Sequence, residues 1–445
     1  MTWRKKCHEC NAAFFIAILI LMVFLLGGVA LPYCFAASMG FLILSANVPV
    51  KTLFNYAFAQ MTSVTLLAVP MFVIAGSLIA DTGIAERLLD VANLFVGKIK
   101  GALGVICVIT CGFIGAISGS AFTGIAAIGP VMIPRMVAEG YGIGFASALV
   151  ASASVLGMLI PPSSATILYG WSTGSSILAG FVSTVVPGIL VIISFSIINI
   201  IYARKHCYEY SEIAAKEKEF QTNRNVKNTL IKAIPAFAMP IIILGGIYGG
   251  IFTPSEAASI AAAVALLIGI FIYRSLNKTT TVHVLKNSAN SIGGIFMMIF
   301  FCYMLSQSLV YLQIPQKLVV VFMSITDNKY VVLLIVNIFL LFVGMITSDT
   351  VGIVLCAPLL LPIVQSYGID PVHFCAIMIV NLAAGGLTPP YASIMYFGMK
   401  VGNCKFSEIY GPTMQLLLFG YIPVMLITTY FEPVSMALPR LLGLV

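Results

Sequence analysis

Two apolar stretches, 101–134 and 330–364, are longer than one membrane crossing needs, and small polar residues and glycine interrupt each near its middle. A helical crossing takes about 20 apolar residues. Backbone N–H and C=O groups must find partners inside hydrocarbon, so a helix can break there only where protein or an internal cavity supplies them. The two stretches therefore predict helical hairpins that dip into the bilayer. Their tips fall at "SGSAFTG", with Ser118, Gly119, Ser120 and Thr123, and at "ITSDTVG", with Thr347, Ser348, Asp349 and Thr350. Zones 143–170 and 372–399 carry a different interruption, the double prolines Pro161–Pro162 (followed by Ser163) and Pro389–Pro390. Each proline lacks an amide donor and frees a carbonyl one turn earlier, which predicts a broken helix in each zone.

The surrounding runs, near 11–31, 33–50, 57–80, 176–202, 233–252, 255–273, 288–312 and 410–431, read as further membrane segments. Composition agrees: 60% of residues are hydrophobic and 9% are charged, against about 25% charged in soluble domains. The net charge of +8 is concentrated in the loops 204–232 and 274–286. Basic loops of this kind face the cytoplasm, and no motif points to nucleic acid. The ten cysteines are scattered singly, apart from Cys7 and Cys10, whose CxxC beside His8 is too little for a zinc or redox centre. The charged start and the long apolar run after it read as a retained helix rather than a cleaved leader.

The interruptions repeat. At an offset of 228 residues, without gaps, Pro130, Pro134, Pro161 and Pro162 fall on Pro358, Pro362, Pro389 and Pro390; Gly124, Gly157 and Gly170 fall on Gly352, Gly385 and Gly398. Shared aliphatic content does not align prolines, so the same backbone bends occur twice. With the basic loops inside, the first hairpin opens from the cytoplasm and the second from the outside, which makes the halves inverted copies. The predicted organisation is N-terminal scaffold helices over 1–60, a first repeat over 61–202, a basic linker over 203–232 and a second repeat over 233–445. Residues 83–96 carry Glu86, Arg87 and Asp90 on one helical face. They read either as a helix in the membrane interface or as a crossing.

A broken helix presents carbonyls at one end and N–H groups at the other. The first attracts cations and the second anions. Hydroxyls add neutral oxygen ligands, which together suits sodium and needs no full charge. Small residues also serve plain helix packing, but here each tip precedes a broken helix at a matching distance. Asp349 is the only charge between Lys329 and Asp370, and an embedded carboxylate is a site candidate for a cation or a proton. Glu256, in "TPSE", reads as a helix cap with Thr253 and Pro254. His373 has no facing histidine that would support haem, and no ATP-binding loop is present. The sequence gives no sign of an enzyme, and no cofactor beyond sodium as coupling ion is expected.

The segments "AVPMFVIAGSLIADTGIAERLLDVA", "AISGSAFTGIAAIGPVMIPRMV", "LGMLIPPSSATILYG", "GGIFTPSEAASIAA", "APLLLPIVQSYGIDPVHFCAIMIVNLAAGGLTPP" and "YFEPVSMALPRLLG" resemble, in order, the large membrane subunit of tripartite ATP-independent periplasmic (TRAP) transporters, DctM-like. The resemblance runs from about residue 60 to the C-terminus. It implies an all-α polytopic fold like that of the ion-transporter superfamily, working as an elevator in the bacterial inner membrane. It also implies sodium-driven uptake of an organic acid, such as a C4-dicarboxylate or sialic acid. The implied partners are a periplasmic solute-binding protein, a small four-helix membrane subunit and membrane lipids. The family's ion-site segments match Ser118–Ser120 with Gly157, and Thr347–Thr350 with Gly385 and Thr388. Thr123, Pro161, Pro162, Ser163, Pro389 and Pro390 are then the substrate-side and broken-helix positions. Arg135 and Lys98 read as interfacial charges. Phe122 is bulkier than the first tip leads one to expect. A binding-protein-independent sodium–organic anion symporter is the alternative; uptake by this chain alone in liposomes would distinguish it.

Overall fold

The computed structural model describes residues 13, 16–25, 27–46, 48–96, 100–206 and 226–445. The CxxC at Cys7 and Cys10, and most of the linker 203–232, lie outside them. The described residues form helices and connecting turns, with no strand among them. Ten of those helices are long and apolar enough to cross a membrane.

The hairpins break where hydroxyls and glycine stand. The first is Ala102–Ser118 followed by Ala121–Ala138, and the second is Lys329–Ile346 followed by Asp349–Ser366. Gly119 turns the first tip in the left-handed region, at φ 62°, where L side chains are strained. The second tip turns through Thr347 and Ser348 in extended conformation. The broken helices follow. Ile143–Ser154 and Leu156–Leu159 lead to the double proline, and the chain resumes as Ser164–Thr173. In the second half Pro371–Gly385 is followed by Ser393–Gly402. The second peptide bond of each proline pair is cis.

Helix limits repeat as the prolines do. Ala121–Ala138 and Asp349–Ser366 keep the 228-residue offset at both ends. The offset does not survive the double prolines. The helices after them start at Ser164 and Ser393, one residue further apart, because Tyr391 and Ala392 lengthen the second turn. Gly170 and Gly398 are consequently not equivalent: Gly170 lies against Ile177, and Gly398 against Ala151.

Outside the hairpins the structure departs from the apolar zones. The zone at 57–80 is not one segment; Val50–Met61 ends and Ala68–Thr82 begins after a short 3-10 turn. Hydroxyls cause the break. Thr62 Oγ1 donates to the Ala59 carbonyl at 2.9 Å, and Ser63 Oγ accepts from the Leu66 N–H at 3.3 Å, local bonds that compete with a continuing helix. The counterpart in the second half, Lys278–Tyr311, runs unbroken. Residues 83–96 form the helix Ile84–Val96, packed on Ala102–Ser118 and Val226–Tyr248, with Ile84, Leu88 and Leu89 buried. The cap at Glu256 is present: the Thr253 N–H donates to Glu256 Oε2 at 2.8 Å, and Thr253 Oγ1 accepts from the Glu256 N–H at 3.4 Å. His373 is structural, with Nδ1 2.6 Å from Ser435 Oγ.

The halves interlock. Ser393–Gly402 packs on the second arm of the first hairpin, and Ser164–Thr173 packs on the second arm of the second. Tyr169 O–H also donates to the carbonyl of Pro371, the first residue of the second broken helix, at 2.7 Å. Each tip is thereby held beside elements of both halves.

Candidate functional site at the hairpin tips

Glycine sets how closely each tip approaches its broken helix. A Cβ on Gly115 would lie 2.7 Å from Gly157 Cα, and a Cβ on Gly157 would lie 2.6 Å from the Ser120 carbonyl carbon. In the second half, a Cβ on Gly344 would lie 3.0 Å from Gly385 Cα. In the first half the seam brings the tip backbone against carbonyls that the prolines leave without helical donors, those of Gly157 and Met158, one turn before Pro161 and Pro162. In the second half the corresponding carbonyls are taken: Gly385 O accepts from the Thr388 N–H at 2.9 Å and Gly386 O from the Ile394 N–H at 3.1 Å.

Hydrogen bonds fasten the first tip. The Ser164 N–H and hydroxyl both donate to the Gly119 carbonyl, at 3.3 and 2.9 Å. Ser118 Oγ donates to Ile114 O at 2.9 Å. Ser163 is fully buried and its hydroxyl has no partner among the described residues. An orphan hydroxyl costs about 1–3 kcal/mol, and a ligand oxygen or cation would relieve it. In the second half the Tyr391 N–H donates to Met345 O at 3.0 Å. Thr347 Oγ1 bonds Val343 O at 2.9 Å, and Ser348 Oγ accepts from the Val351 N–H at 3.5 Å.

Both tips meet at one cavity. Ser120, Ala121 and Phe122 line it from the first hairpin and Met158 from the first broken helix. Thr347 and Asp349 line it from the second hairpin, and Leu382, Gly386, Ser393 and Ile394 from the second broken helix. The cavity measures about 20 Å³, which holds a water or an ion and no organic acid. Three helices begin at its wall: Ala121–Ala138, Asp349–Ser366 and Ser393–Gly402. No side-chain hydrogen bond caps the first or the third. The Ile394 N–H is taken by the Gly386 carbonyl at 3.1 Å; the other first-turn N–H groups lack intrahelical partners and carry partial positive charge, so the wall favours an anion. Asp349 supplies the opposite charge, and no lysine or arginine lines the cavity among the described residues.

Of the positions expected from sequence, Ser120, Thr347 and Asp349 come together at the cavity, and Gly157 and Gly385 form the seams behind it. Thr123 lies instead beside Gly76 of Ala68–Thr82, where a Cβ on Gly76 would meet its Oγ1 at 2.8 Å. Thr388 Oγ1 bonds back to Ala384 O at 2.7 Å. Pro161 and Pro162 are buried, whereas Pro390 is exposed. Thr350 is half-buried in the first turn of its helix.

Sequence reasoning missed Ser393 and the cavity wall of Met158, Leu382 and Ile394. Ser393 had a signal, since it opens the helix that answers Ser164. It also missed a buried amide pair. Asn381 Nδ2 donates to Asn337 Oδ1 at 2.8 Å, and Asn337 Nδ2 to Thr429 Oγ1 at 3.0 Å. This joins the second hairpin to its broken helix and to Ile422–Tyr430. A lone asparagine in "LLIVNIFLLF" was the available sign.

Residues 18–434 match the family described as tripartite ATP-independent periplasmic transporter, DctM component. The C4-dicarboxylate TRAP transporter large permease protein DctM of Pseudomonas aeruginosa is 34% identical, over 85% of this chain and 87% of its own. The sialic acid TRAP transporter large permease protein SiaM of Vibrio cholerae is 31% identical, over 91% of this chain and 93% of its own. The crystal structure of the YdaH transporter of Alcanivorax borkumensis, at 16% identity, superposes over 96% of this chain and 100% of that one with a TM-score of 0.59, a likeness of fold alone. With ten candidate crossings and a family match over nearly its whole length, this multi-pass membrane protein belongs to the DctM component family of tripartite ATP-independent periplasmic transporters.

Proposed function

We propose that this chain is the large subunit of a sodium-driven importer in the bacterial inner membrane. It takes up an organic acid that a periplasmic solute-binding protein delivers, and a small four-helix membrane subunit braces it. The observation that carries the reading is the shared cavity: both tips and three helix N-termini reach it, with one carboxylate and no basic side chain among the described residues. The cavity as it stands holds a water or an ion; helix N-termini at its wall receive the acid group once the two tips part to widen it. Sodium is held behind it. Ser118, Gly119 and Ser120 with Gly157 form one ion site, and Thr347 to Thr350 with Gly385 and Thr388 form the other. Pro161, Pro162, Ser163, Pro389 and Pro390 shape the carbonyl ends. The halves lie inverted in the membrane, and the tips travel together against the outer helices as an elevator. Acids named for the relatives, a C4-dicarboxylate and sialic acid, support the substrate class.

The test is uptake into proteoliposomes carrying this chain with its small subunit, with the loaded binding protein added outside. Under an inward sodium gradient, uptake is expected only when all three proteins are present, and it collapses when potassium replaces sodium. Equal uptake in potassium overturns the coupling. Uptake by this chain alone replaces the tripartite reading with a self-sufficient symporter.

A further inference from the structure

We infer that Tyr391 touches the substrate: its phenolic hydroxyl donates a hydrogen bond to the carboxylate of the arriving acid, beside the second tip. The inference rests on the reading of the chain as an acid importer. It begins where the two broken helices differ in length. In the first half Ser163 alone separates Pro162 from the helix that starts at Ser164; in the second, Tyr391 and Ala392 both separate Pro390 from the helix that starts at Ser393. Two features hold the longer turn in one shape. The Tyr391 N–H donates to Met345 O at 3.0 Å, just before the tip. Ala392 is fully buried and sits in the left-handed region at φ 35°, which a residue with a side chain adopts only where its surroundings impose it.

The longer turn opens the molecule. No residue from 143 to 170 is exposed in the first half, whereas from 371 to 395 in the second Pro390 and Tyr391 are, and they alone. They lie deep in the span: Pro371–Gly385 gives about 22 Å of helix before them and Ser393–Gly402 about 15 Å after. Hydrocarbon tolerates non-helical backbone only where protein or a water-filled cavity satisfies it, so this exposed turn borders water. Tyr391 is 36% exposed, and its hydroxyl makes no hydrogen bond among the described residues. The Asp349 carboxylate, on the wall of the closed cavity, is near enough to act on the phenol electrostatically. An acid travelling through that water toward the tips therefore meets Tyr391 beside Asp349.

A donor is what this approach lacks. Asp349 repels an anion, no lysine or arginine lines the cavity among the described residues, and the Ile394 N–H is already taken by Gly386 O. A phenol stays protonated at neutral pH and donates, and a hydrogen bond to an ionised acceptor is stronger than one between neutral groups. Ser163, at this place in the first half, is fully buried, so the first turn presents no such hydroxyl to the water.

The experiment uses the purified large and small subunits together in detergent and reads the shift in melting temperature. The probes are succinate and N-acetylneuraminate, each titrated in sodium chloride and in choline chloride. Sodium-dependent stabilisation of the parent protein by at least one of them is expected. Tyr391→Phe keeps the ring and loses only the hydroxyl. It should raise the half-saturating concentration of that acid at least about tenfold, with the ligand-free melting temperature and the half-saturating sodium concentration unchanged. Tyr391→Leu, which removes the ring as well, should lose at least as much. If Tyr391→Phe binds the acid as the parent does, this inference falls and the acid-transport reading stands, even where Tyr391→Leu is weakened, since the ring would then act by packing. A lower ligand-free melting temperature in Tyr391→Phe, or an equal loss of sodium affinity, would show that the hydroxyl serves the fold or the ion and would also overturn it. If neither acid stabilises the parent protein in sodium, both readings fall.

Discussion

The two hairpins share their limits and differ in how their tips are fastened. At the first, Ser164 gives both its N–H and its hydroxyl to Gly119 O, the following prolines are buried, and the tip carries no charge. At the second, one backbone bond from Tyr391 to Met345 does the same work without a hydroxyl. The turn there is one residue longer, Pro390 is exposed, and Asp349 stands where the first hairpin has Ala121. One backbone plan thus supports two chemistries. The first tip offers neutral oxygens in a tightly joined frame. The second offers a carboxylate in a looser one. The difference teaches that the glycine seams belong to the plan, whereas charge and fastening are particular to each tip.

The largest expected effect comes from breaking what the tips have in common. A methyl at Gly157 would sit 2.6 Å from the Ser120 carbonyl carbon, and backbone cannot yield as a flexible side chain can. Overpacking of this kind costs about 1–3 kcal/mol, and here it lands on the proposed ion site. Gly157→Ala and Gly385→Ala should each lower sodium-driven uptake at least about tenfold, since displacement at a binding centre is amplified. Gly411→Ala, with nothing within 4 Å of the added carbon, is the control and should transport normally. Wild-type uptake by Gly157→Ala at equal expression would show that the seam is not needed.

A smaller effect separates the tips. If Asp349 holds a cation at the second tip only, Asp349→Asn should weaken sodium activation without abolishing it. The expected rise in the half-saturating sodium concentration is about tenfold, equivalent to about 1.4 kcal/mol, because a neutral oxygen replaces a charged one. Initial uptake rates against sodium concentration measure it. An unchanged sodium curve would detach Asp349 from the ion and leave it as a wall residue of the acid cavity.

How far the sequence could lead follows the same division. Interruptions of an apolar run are legible because hydrocarbon forbids unpaired backbone; this is why Gly119, Thr347 and both double prolines mark real breaks. The recurrence of prolines led to the paired helix limits for the same reason. What depended on packing between distant segments was not legible. No spacing rule places Met158 beside Thr347, or Ser393 beside Ser120. The extra residue at Tyr391–Ala392 was hidden by a glycine coincidence at Gly170 and Gly398. The break at Thr62–Ser63 was masked by apolar neighbours, since hydroxyl caps are weak signals in a hydrophobic run.

The smallest effect tests the fastening alone. Ser164→Ala deletes the 2.9 Å hydroxyl bond to Gly119 O and leaves the 3.3 Å amide bond, so about 0.5–1.5 kcal/mol should be lost. The apparent melting temperature should drop, and acid affinity should change little, because Ser164 is not part of the cavity wall. Ser393→Ala should do the reverse. Ser393 opens the answering helix but lines the cavity, so its loss should weaken acid binding and barely move the melting temperature. The two substitutions remove the same atom from the same place in the repeat. Matching results in both assays would mean that the tips are fastened alike, and the contrast between a joined first tip and an open second one would be lost.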